Sequence, residues 1–419
     1  MSDEVALQVQ QNRQKFPALG QAQLAYVLIE IMPTAALANI QMPINFGFVL
    51  DQSGSMDGQK MKDLKAAARL ATDQMAPEDI ISIVLFDDRV KVLTPAQFAT
   101  NPDQIKQQIE TIASAGGTRI SLGLREGLKQ LAKNAAPGRV NRLLLLTDGE
   151  TFGDTQTCEQ LALEAGQKDV PVLALGLGES WNMELLDNIA QQSNGLSDFI
   201  PQGQPEAILH TFQRSVQTAQ QTVVQNATLI MRLIAGVSPR QVWQVVPLIN
   251  ELGHHVVSDR DIQVPLGDLS KNEGQQILVE LMVPPRQPGS YRLAQLEVNF
   301  DVAAQNLAQQ KVKTDVVFEF TANSAEANQP VPEVMNIVEK LTAYKLQNRG
   351  MAEAAGGNII SATQKLRAAA TRLLDLGEND LAQAAMQEAD NLEKQGQMSA
   401  SGTRKLRYQT RKLTQKLDE

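Results

Sequence analysis

The sequence has very few of the residues that carry most covalent and acid–base chemistry. It contains one cysteine and three histidines in 419 residues, which excludes an internal disulfide and leaves few histidines for catalysis. Cys158 lies in a predicted helix, where we expect an ordinary small apolar side chain. The net charge of −9 argues against a general binder of polyanions, so nucleic acid is not expected as the main partner.

Long apolar runs are missing as well. No stretch approaches the ~20 apolar residues that a membrane-spanning helix requires. The opening residues MSDEVALQVQQNRQKF are acidic and polar, unlike a signal peptide. We therefore expect a cytoplasmic protein without a membrane span. A hydrophobic content of 43% and the length predict two or three globular domains.

Residues 43–200 alternate apolar strands with helical patterns. The predicted strands are Ile44–Leu50, Asp79–Phe86, Arg142–Thr147 and Val170–Gly176. The predicted helices are Met61–Met75, Pro102–Ile112, Ser121–Ala132, Cys158–Gln167 and Asn182–Gln192. Strands separated by helices of this length predict an α/β domain with a doubly wound parallel sheet.

The pattern changes on both sides of that domain. Residues 215–322 are β-rich without a convincing helix, which predicts an antiparallel β-sandwich. The N-terminal segment, residues 1–42, contains the alternating run Leu24–Ile31, which we expect to join the sandwich. The α/β domain would then be inserted in the sandwich, since domain termini often lie close together.

The C-terminal region, residues 330–419, is predicted to be helical. Its apolar stripes lie in Glu333–Gly350, Gly357–Leu376 and Asp380–Gln395. The last segment, Thr403–Lys416, is basic and free of acids, so we expect a solvated helix or a frayed tail. The alternative for this segment is a binding site for an acidic partner or nucleic acid.

A polar stretch, DQSGSMDG, begins at Asp51, directly after the first strand of the α/β domain. A phosphate loop would need G-x-x-x-x-G-K-[ST], and a serine nucleophile elbow would need G-x-S-x-G; neither is present. His210, His254 and His255 all lie outside residues 43–200, which leaves serine hydrolysis without a base. A metal site and a plain turn remain as interpretations of the stretch.

Side-chain oxygens favour the metal site. Asp51, Ser53 and Ser55 alternate along the loop, and two further strand-end loops supply Thr118, after two glycines, and Asp148. Ligands from the carboxyl ends of parallel strands converge at one edge of the sheet. Oxygen donors without cysteine or histidine select a hard divalent cation such as Mg²⁺ or Mn²⁺.

These five residues, in this order, resemble the metal-ion-dependent adhesion site of von Willebrand factor type A domains. The resemblance covers residues 43–200 and includes VLDQSGSM, GGTRI and LLLTDGE. It implies that Ser53, Ser55 and Thr118 ligate Mg²⁺ (or Mn²⁺ or Ca²⁺) through hydroxyls, with Asp51 and Asp148 holding it directly or through water. It also implies a protein partner whose Asp or Glu completes the coordination.

Other polar residues near the motif have simpler interpretations. Asp57 is expected to be a turn or helix-start residue, Asp87 and Asp88 a surface turn, and Glu150 and Asp154 part of the rim around Asp148. The adjacent pair His254 and His255 points to opposite faces of a strand and is not expected to share a metal.

The function predicted from the sequence is a metal-dependent protein-interaction module or scaffold, not an enzyme. The order of domains is similar in outline to that of inter-α-trypsin inhibitor heavy chains and their bacterial relatives. This similarity does not identify a substrate or a partner for the chain. One alternative is a metal-dependent hydrolase or phosphoryl-transfer enzyme, although no histidine or lysine accompanies the motif. A second alternative is a scaffold whose C-terminal helices oligomerise or bind nucleic acid.

Overall fold

The chain forms two compact units in a computed structural model that describes residues 4–415 except 137, 152, 202 and 328. The strands are β1 (Val5–Gln11), β2 (Phe16–Pro17), β3 (Gln23–Pro33), β4 (Ile44–Asp51), β5 (Ile80–Phe86), β6 (Val90–Phe98), β7 (Val140–Thr147), β8 (Val172–Leu177), β9 (Leu196–Ile200), β10 (Thr222–Leu233), β11 (Ser238–Val246), β12 (Asn250–Glu251), β13 (His255–Val256), β14 (Asp261–Ser270), β15 (Gln275–Val283), β16 (Gly289–Val302) and β17 (Leu307–Thr321). The helices are α1 (Gln59–Asp73), α2 (Pro102–Glu110), α3 (Ile120–Ala132), α4 (Thr155–Gln167), α5 (Met183–Gln192), α6 (Pro205–Gln220), α7 (Ser324–Ala327), α8 (Pro332–Ala355), α9 (Ile359–Asp375), α10 (Asn379–Gln395) and α11 (Ala400–Thr410). Short 3-10 turns lie at Ala35–Leu37, Gly54–Met56 and Ala303–Gln305.

The α/β unit comprises Ile40–Val223 and Ala303–Asn306. Its six-stranded sheet has the order β6-β5-β4-β7-β8-β9, and every neighbouring pair except β5 and β6 is parallel. All eight residues of β4 are buried, as expected of a central strand covered by helices on both faces. The predicted α/β fold is confirmed, with a sheet that is mixed instead of wholly parallel.

Three elements of this unit were not predicted from the sequence. β6 is antiparallel to β5 because only three residues separate the two strands, too few for a crossover connection. It carries Pro95 and polar side chains, which are tolerated at an edge. β9 forms the opposite edge, and α6 follows it, so the unit extends past residue 200 to Val223.

Helix α6 belongs to the core of the α/β unit. Ile208, Phe212, Val216 and Ala219 follow helical spacing, and all four are buried in the same apolar cluster as β4. Pro205 occupies the first turn, where a missing N–H costs nothing. The periodicity and this proline were the signal for α6 in the sequence. His210, expected outside the α/β domain, is an exposed residue of this helix.

The other unit comprises the residues up to Asn39, Val224–Val302 and the residues from Leu307 onward. It contains a five-stranded antiparallel sheet, β1-β3-β15-β11-β12, and a six-stranded sheet, β13-β14-β10-β16-β17-β2, in which the short β2 runs parallel to β17. The alternating run Leu24–Ile31 lies in β3, paired on both sides, and the α/β segment enters the chain between β3 and β10. The strands predicted in this part of the chain thus form two separate sheets, and their packing as a β-sandwich stays a prediction.

The C-terminal helices pack against the five-stranded sheet. Leu28, Trp243 and Leu278 from the sheet share one buried cluster with Leu341 and Leu373 from the helices. The basic C-terminal segment takes part in this packing, which corrects the expectation of a solvated or frayed tail: α11 buries Leu406, and the backbone N–H of Ile249 donates to the carbonyl of Arg411 (2.9 Å). Lys416, the end of the predicted segment, lies outside the described residues. The predicted C-terminal helical region is confirmed.

Replacing Phe212 with alanine tests the place of α6 in the α/β core. Phe212 is fully buried and its ring stacks on Phe48 with centroids 5.7 Å apart. We expect Phe212→Ala to lower the free energy of unfolding by about 3–5 kcal/mol, measured by chemical denaturation. The control His210→Ala removes an exposed side chain from the same helix and should change it by less than about 0.5 kcal/mol. Equal losses in the two variants would contradict this packing.

An acidic side chain is buried among cations on the six-stranded sheet. The side chain of Glu297 on β16 is 3% exposed. Its Oε2 forms ion pairs with the guanidinium of Arg232 and the ammonium of Lys313, both at 2.9 Å. Burial by itself would raise the pKa of Glu297, but the hydrogen bonds from Lys313 and Arg232 outweigh burial and lower it to about 2. The carboxylate is therefore more stable in the folded chain than in the unfolded chain.

Acid should weaken the fold through Glu297. Its folded pKa lies below the usual value of 4.5, so its contribution to stability is complete above that value and is lost as the pH falls from about 4.5 to about 2. We expect the unfolding free energy of Glu297→Gln to be lower at neutral pH and to fall less steeply over this interval. Denaturant titrations at several pH values measure both curves. Parallel curves would show that Glu297 is not responsible.

Candidate metal centre

The candidate site lies at the carboxyl end of the central strand of the α/β unit. β4 pairs with β5 on one side and β7 on the other. The chain leaves β4 through α1 to β5 on one side, and it leaves β7 through α4 to β8 on the other side. The loops that follow β4 and β7 therefore diverge and leave a crevice between them, the usual place for a ligand in an open α/β sheet.

Asp51 is the last residue of β4 and is fully buried. One carboxylate oxygen accepts a hydrogen bond from the backbone N–H of Ser53 (2.7 Å), and the other accepts one from the Thr147 hydroxyl (2.5 Å). Burial raises the pKa of Asp51 to about 6, although hydrogen bonds from Thr147 and Ser53 lower it; the nearby Asp148 carboxylate raises it further. A cation in the crevice would favour the ionised form of this carboxyl.

Ser53, Ser55 and Asp148 form a chain of direct contacts. The hydroxyls of Ser53 and Ser55 lie 3.0 Å apart, and the Ser55 hydroxyl donates to Oδ1 of Asp148 (2.6 Å). Asp148 is also fully buried, and its Oδ2 forms an ion pair with Nζ of Lys60 at 2.5 Å. Lys60 therefore belongs to the site, although the motif by itself predicted no role for a lysine.

Thr118 reaches the same place from the loop that precedes α3. It is buried, and a Cβ added at Gly149 would lie 3.0 Å from the Thr118 hydroxyl oxygen and 3.8 Å from that of Ser55. Gly149, the residue after Asp148, therefore lies close to the hydroxyls of both Thr118 and Ser55. The structure brings all five predicted residues to one crevice.

Backbone contacts join the first two site loops. Gln52 donates its N–H to the carbonyl of Phe86 (2.9 Å) and accepts from Ala115 N–H at its own carbonyl (2.7 Å). Gly54 donates its N–H to the carbonyl of Gly116 (3.1 Å). The loop that carries Ser53 and Ser55 is therefore held directly against the loop that carries Thr118.

Asp87 and Asp88 lie in the predicted turn, between β5 and β6, and they also position the glycine loop. Asp87 is buried; it accepts a hydrogen bond from the Gln52 amide at its carboxylate (2.7 Å) and one from the Arg119 N–H at its carbonyl (3.0 Å). Asp88 accepts from the N–H of Gly117 (2.8 Å). A Cβ at Gly117 would come within 2.6 Å of a carboxylate oxygen of Asp88, so a larger residue here would displace that side chain.

Asp154 and Thr151 satisfy the first backbone N–H groups of α3. Asp154 accepts from the N–H of Ser121 (2.9 Å), and the Thr151 hydroxyl accepts from that of Ile120 (3.2 Å). The Thr151 hydroxyl also donates to Asp154. These side chains therefore fix the helix that follows Thr118, and the role of Asp154 is structural.

Asp57 stands apart from the five-residue cluster. It is exposed and accepts a hydrogen bond from the Ser114 hydroxyl (3.0 Å), a contact between the first two site loops. Glu150 is an exposed residue directly after Gly149. In the described part of the chain no group of three His, Cys, Asp or Glu side chains could hold a metal. The five-residue cluster has two carboxylates, Asp51 and Asp148, and its other three side-chain donors are hydroxyls.

Residues 45–214 match the model of the von Willebrand factor type A domain. The chain contains a type A domain. The predicted type A domain is thus confirmed, and the match extends past residue 200 to include α6 up to residue 214. Residues 332–416 match a second model, described as the Sll0103-like, C-terminal alpha-helical domain.

Two curated relatives show how far the similarity extends. The chain is 34% identical to protein sll0103 of Synechocystis sp. over 269 residues, which is 62% of each chain. It is 26% identical to inter-alpha-trypsin inhibitor heavy chain H3 of Homo sapiens over 167 residues, which is 37% of this chain and 19% of the heavy chain. The second match is about as long as the type A domain.

Solved structures share the fold over nearly the whole chain. A von Willebrand factor type A protein from Catenulispora acidiphila has a TM-score of 0.81 at 17% identity, covering 98% of this chain and 96% of its own. A paralogue of ArnB from Sulfolobus acidocaldarius has a TM-score of 0.57 at 15% identity, covering 97% and 99%. Among the described residues, no helix is long and apolar enough to cross a membrane.

The donors of the type A domain fit a hard divalent cation. Three hydroxyls and two buried carboxylates lie together at this edge of the sheet, and Mg²⁺, Mn²⁺ and Ca²⁺ prefer oxygen ligands of this kind. Sequence reasoning missed Lys60 and Thr147. The one sequence signal for a role of Lys60 was its place in the first turn of a helix, where a positive charge opposes the helix dipole. The assignment of the five residues as metal ligands stays a prediction.

Replacing Thr147 with valine tests the support of Asp51. Valine matches the shape of threonine but removes the hydroxyl that donates to the buried carboxylate. We expect Thr147→Val to lower the unfolding free energy by about 1–3 kcal/mol in EDTA, measured by chemical denaturation. The control Thr111→Val removes an exposed hydroxyl and should have an effect below about 0.5 kcal/mol. An unchanged stability of Thr147→Val would contradict this role.

Proposed function

We propose that the type A domain binds a divalent cation, Mg²⁺ in the first instance, and through it an acidic side chain of a protein partner. The observation that carries the proposal is the convergence of Ser53, Ser55, Thr118 and two buried carboxylates, Asp51 and Asp148, on one crevice. The family match supports it, because type A domains typically mediate protein–protein interaction by metal-dependent binding.

The donor chemistry supports a cation that keeps an open position. Ser53, Ser55 and Thr118 would hold the cation through neutral hydroxyl oxygens, and Asp51 and Asp148 would hold it directly or through water. Mg²⁺ usually takes only one or two carboxylates from a protein and retains exchangeable waters. A carboxylate from a partner can replace such a water. When bound, the cation supplies the positive charge that recognises this carboxylate.

The proposed role is binding without catalysis. Ser53, Ser55 and Asp148 contact one another and Lys60, and no histidine lies among these described contacts. The ammonium of Lys60 is paired with the buried carboxylate of Asp148. A phosphate ligand would need that ammonium for itself. The C-terminal helices bury apolar side chains against the five-stranded sheet and against one another, although Ile360 and Leu374 are exposed. The partner site proposed is the crevice of the type A domain.

Metal binding is tested by replacing Asp148. We expect Asp148→Asn to weaken Mg²⁺ and Mn²⁺ binding at least about tenfold, because it removes one of two buried charges facing the cation. Isothermal titration calorimetry on the full chain measures the affinities. The matched control is Asp57→Asn, which removes an exposed carboxylate from the adjoining loop and should change the affinity less than about twofold. Equal affinities for Asp148→Asn and the wild type would refute the site.

Partner recognition is tested with displayed random peptides selected on the full chain in Mg²⁺. We expect enrichment of peptides with an Asp or Glu, release of these peptides by EDTA, and loss of binding when that acid is replaced by Asn or Gln. Asp57→Asn should retain the selected peptides, and Asp148→Asn should not. Enrichment of peptides that bind equally well in EDTA would contradict a cation-bridged contact.

A further inference from the structure

Lys60 is the second residue of α1, the helix that begins just after the metal-binding motif. Its Nζ lies 2.5 Å from Oδ2 of Asp148, and its side chain is only 19% exposed. A cation in the first turn of a helix is unfavourable, since the helix dipole is positive there. The ion pair with a fully buried carboxylate offsets this cost, so Lys60 is held where its charge acts on the crevice.

The charges around the crevice depend on this ion pair. Asp51 and Asp148 supply two negative charges that are both fully buried, and the Lys60 ammonium supplies one positive charge in direct contact. With a divalent cation added, the three side chains and the cation carry a net positive charge of one. Without the lysine charge, the two carboxylates would neutralise the cation completely.

We propose that Lys60 is an internal counter-ion of Asp148 that weakens binding of the cation alone and thereby couples it to binding of an anionic carboxylate. The inference rests on the proposed function. In this arrangement the loaded site is short of one negative charge, and a partner's Asp or Glu supplies it. Cation and carboxylate therefore bind with positive coupling, and each raises the affinity of the other by the same factor.

The first test compares cation affinity between Lys60 variants of the full chain. Removing a positive charge from a carboxylate that faces the cation should strengthen binding, so we expect Lys60→Met to bind Mn²⁺ at least about tenfold more tightly by calorimetry. Lys60→Arg keeps the charge and should stay within about threefold of the wild type. The control Lys62→Met removes an exposed charge from the same helix and should change affinity less than about twofold.

The second test measures coupling with sodium acetate as the carboxylate probe. Mn²⁺ affinity is determined in acetate and in chloride at the same ionic strength. We expect acetate to raise the Mn²⁺ affinity of the wild type and of Lys62→Met, and to raise that of Lys60→Met by a smaller factor. An equal acetate effect in Lys60→Met and the wild type would overturn the coupling.

A third measurement tests the ion pair between Lys60 and Asp148 in the absence of a divalent cation, through the melting temperature. In EDTA, Lys60→Met leaves Asp148 buried and without its ammonium, so its melting temperature should fall below those of the wild type and of Lys62→Met. Added Mn²⁺ should then raise the melting temperature of Lys60→Met more than that of the wild type, because tighter binding stabilises the folded state more. Equal melting temperatures in EDTA would show that the ion pair does not stabilise the buried carboxylate.

The outcomes separate this inference from the proposed function. If the wild type binds Mn²⁺, Asp148→Asn does not, and Lys60→Met binds no more tightly than the wild type, only the role of Lys60 is overturned. If neither the wild type nor Lys60→Met binds Mn²⁺ or Mg²⁺, the metal site itself is refuted, and the counter-ion role with it.

Discussion

A carboxylate placed at the end of a completely buried strand governs the organisation of the type A domain. Asp51 follows seven buried residues of β4 and is itself buried, so its charge must be compensated within the fold. The first compensation comes from the N–H of Ser53 and the hydroxyl of Thr147. These contacts fix the start of the site loop and tie it to the end of β7, which places Asp148 beside the serines.

The other loops at this edge are arranged around that anchor. Hydrogen bonds from Gly54 to Gly116 and from Ala115 to Gln52 hold the glycine loop against the serine loop. Asp88 holds Gly117, and Asp154 holds the start of α3. Thr118 therefore lies between two fixed points. A site made from neutral hydroxyls needs such support, because its ligands are weak individually and bind a cation only when they are already in place.

Two buried acids and one lysine give the crevice its chemical character. Hydroxyl ligands add no charge, so the affinity for a cation depends on Asp51, Asp148 and the ammonium paired with Asp148. This makes Lys60 as important to the electrostatics of the site as the residues of the motif. In the other unit, Glu297 shows the opposite arrangement: one buried acid is neutralised by cations from neighbouring strands, and its carboxylate is stabilised without a ligand.

The sequence by itself determined the α/β fold, the helical C-terminal region and the five residues of the crevice. Periodicity and motif spacing are local signals, and the carboxyl ends of parallel strands must share one edge of the sheet. Polar edge strands such as β6 have no strong pattern, and α6 was missed although Phe212 and Val216 followed a helical period. Only the tertiary structure decided that Asp87 holds a neighbouring loop, that the basic α11 packs on a sheet, and that Lys60 meets Asp148. Each of these contacts joins side chains far apart in the chain, and their geometry is set by the packing of whole elements, which no local pattern records.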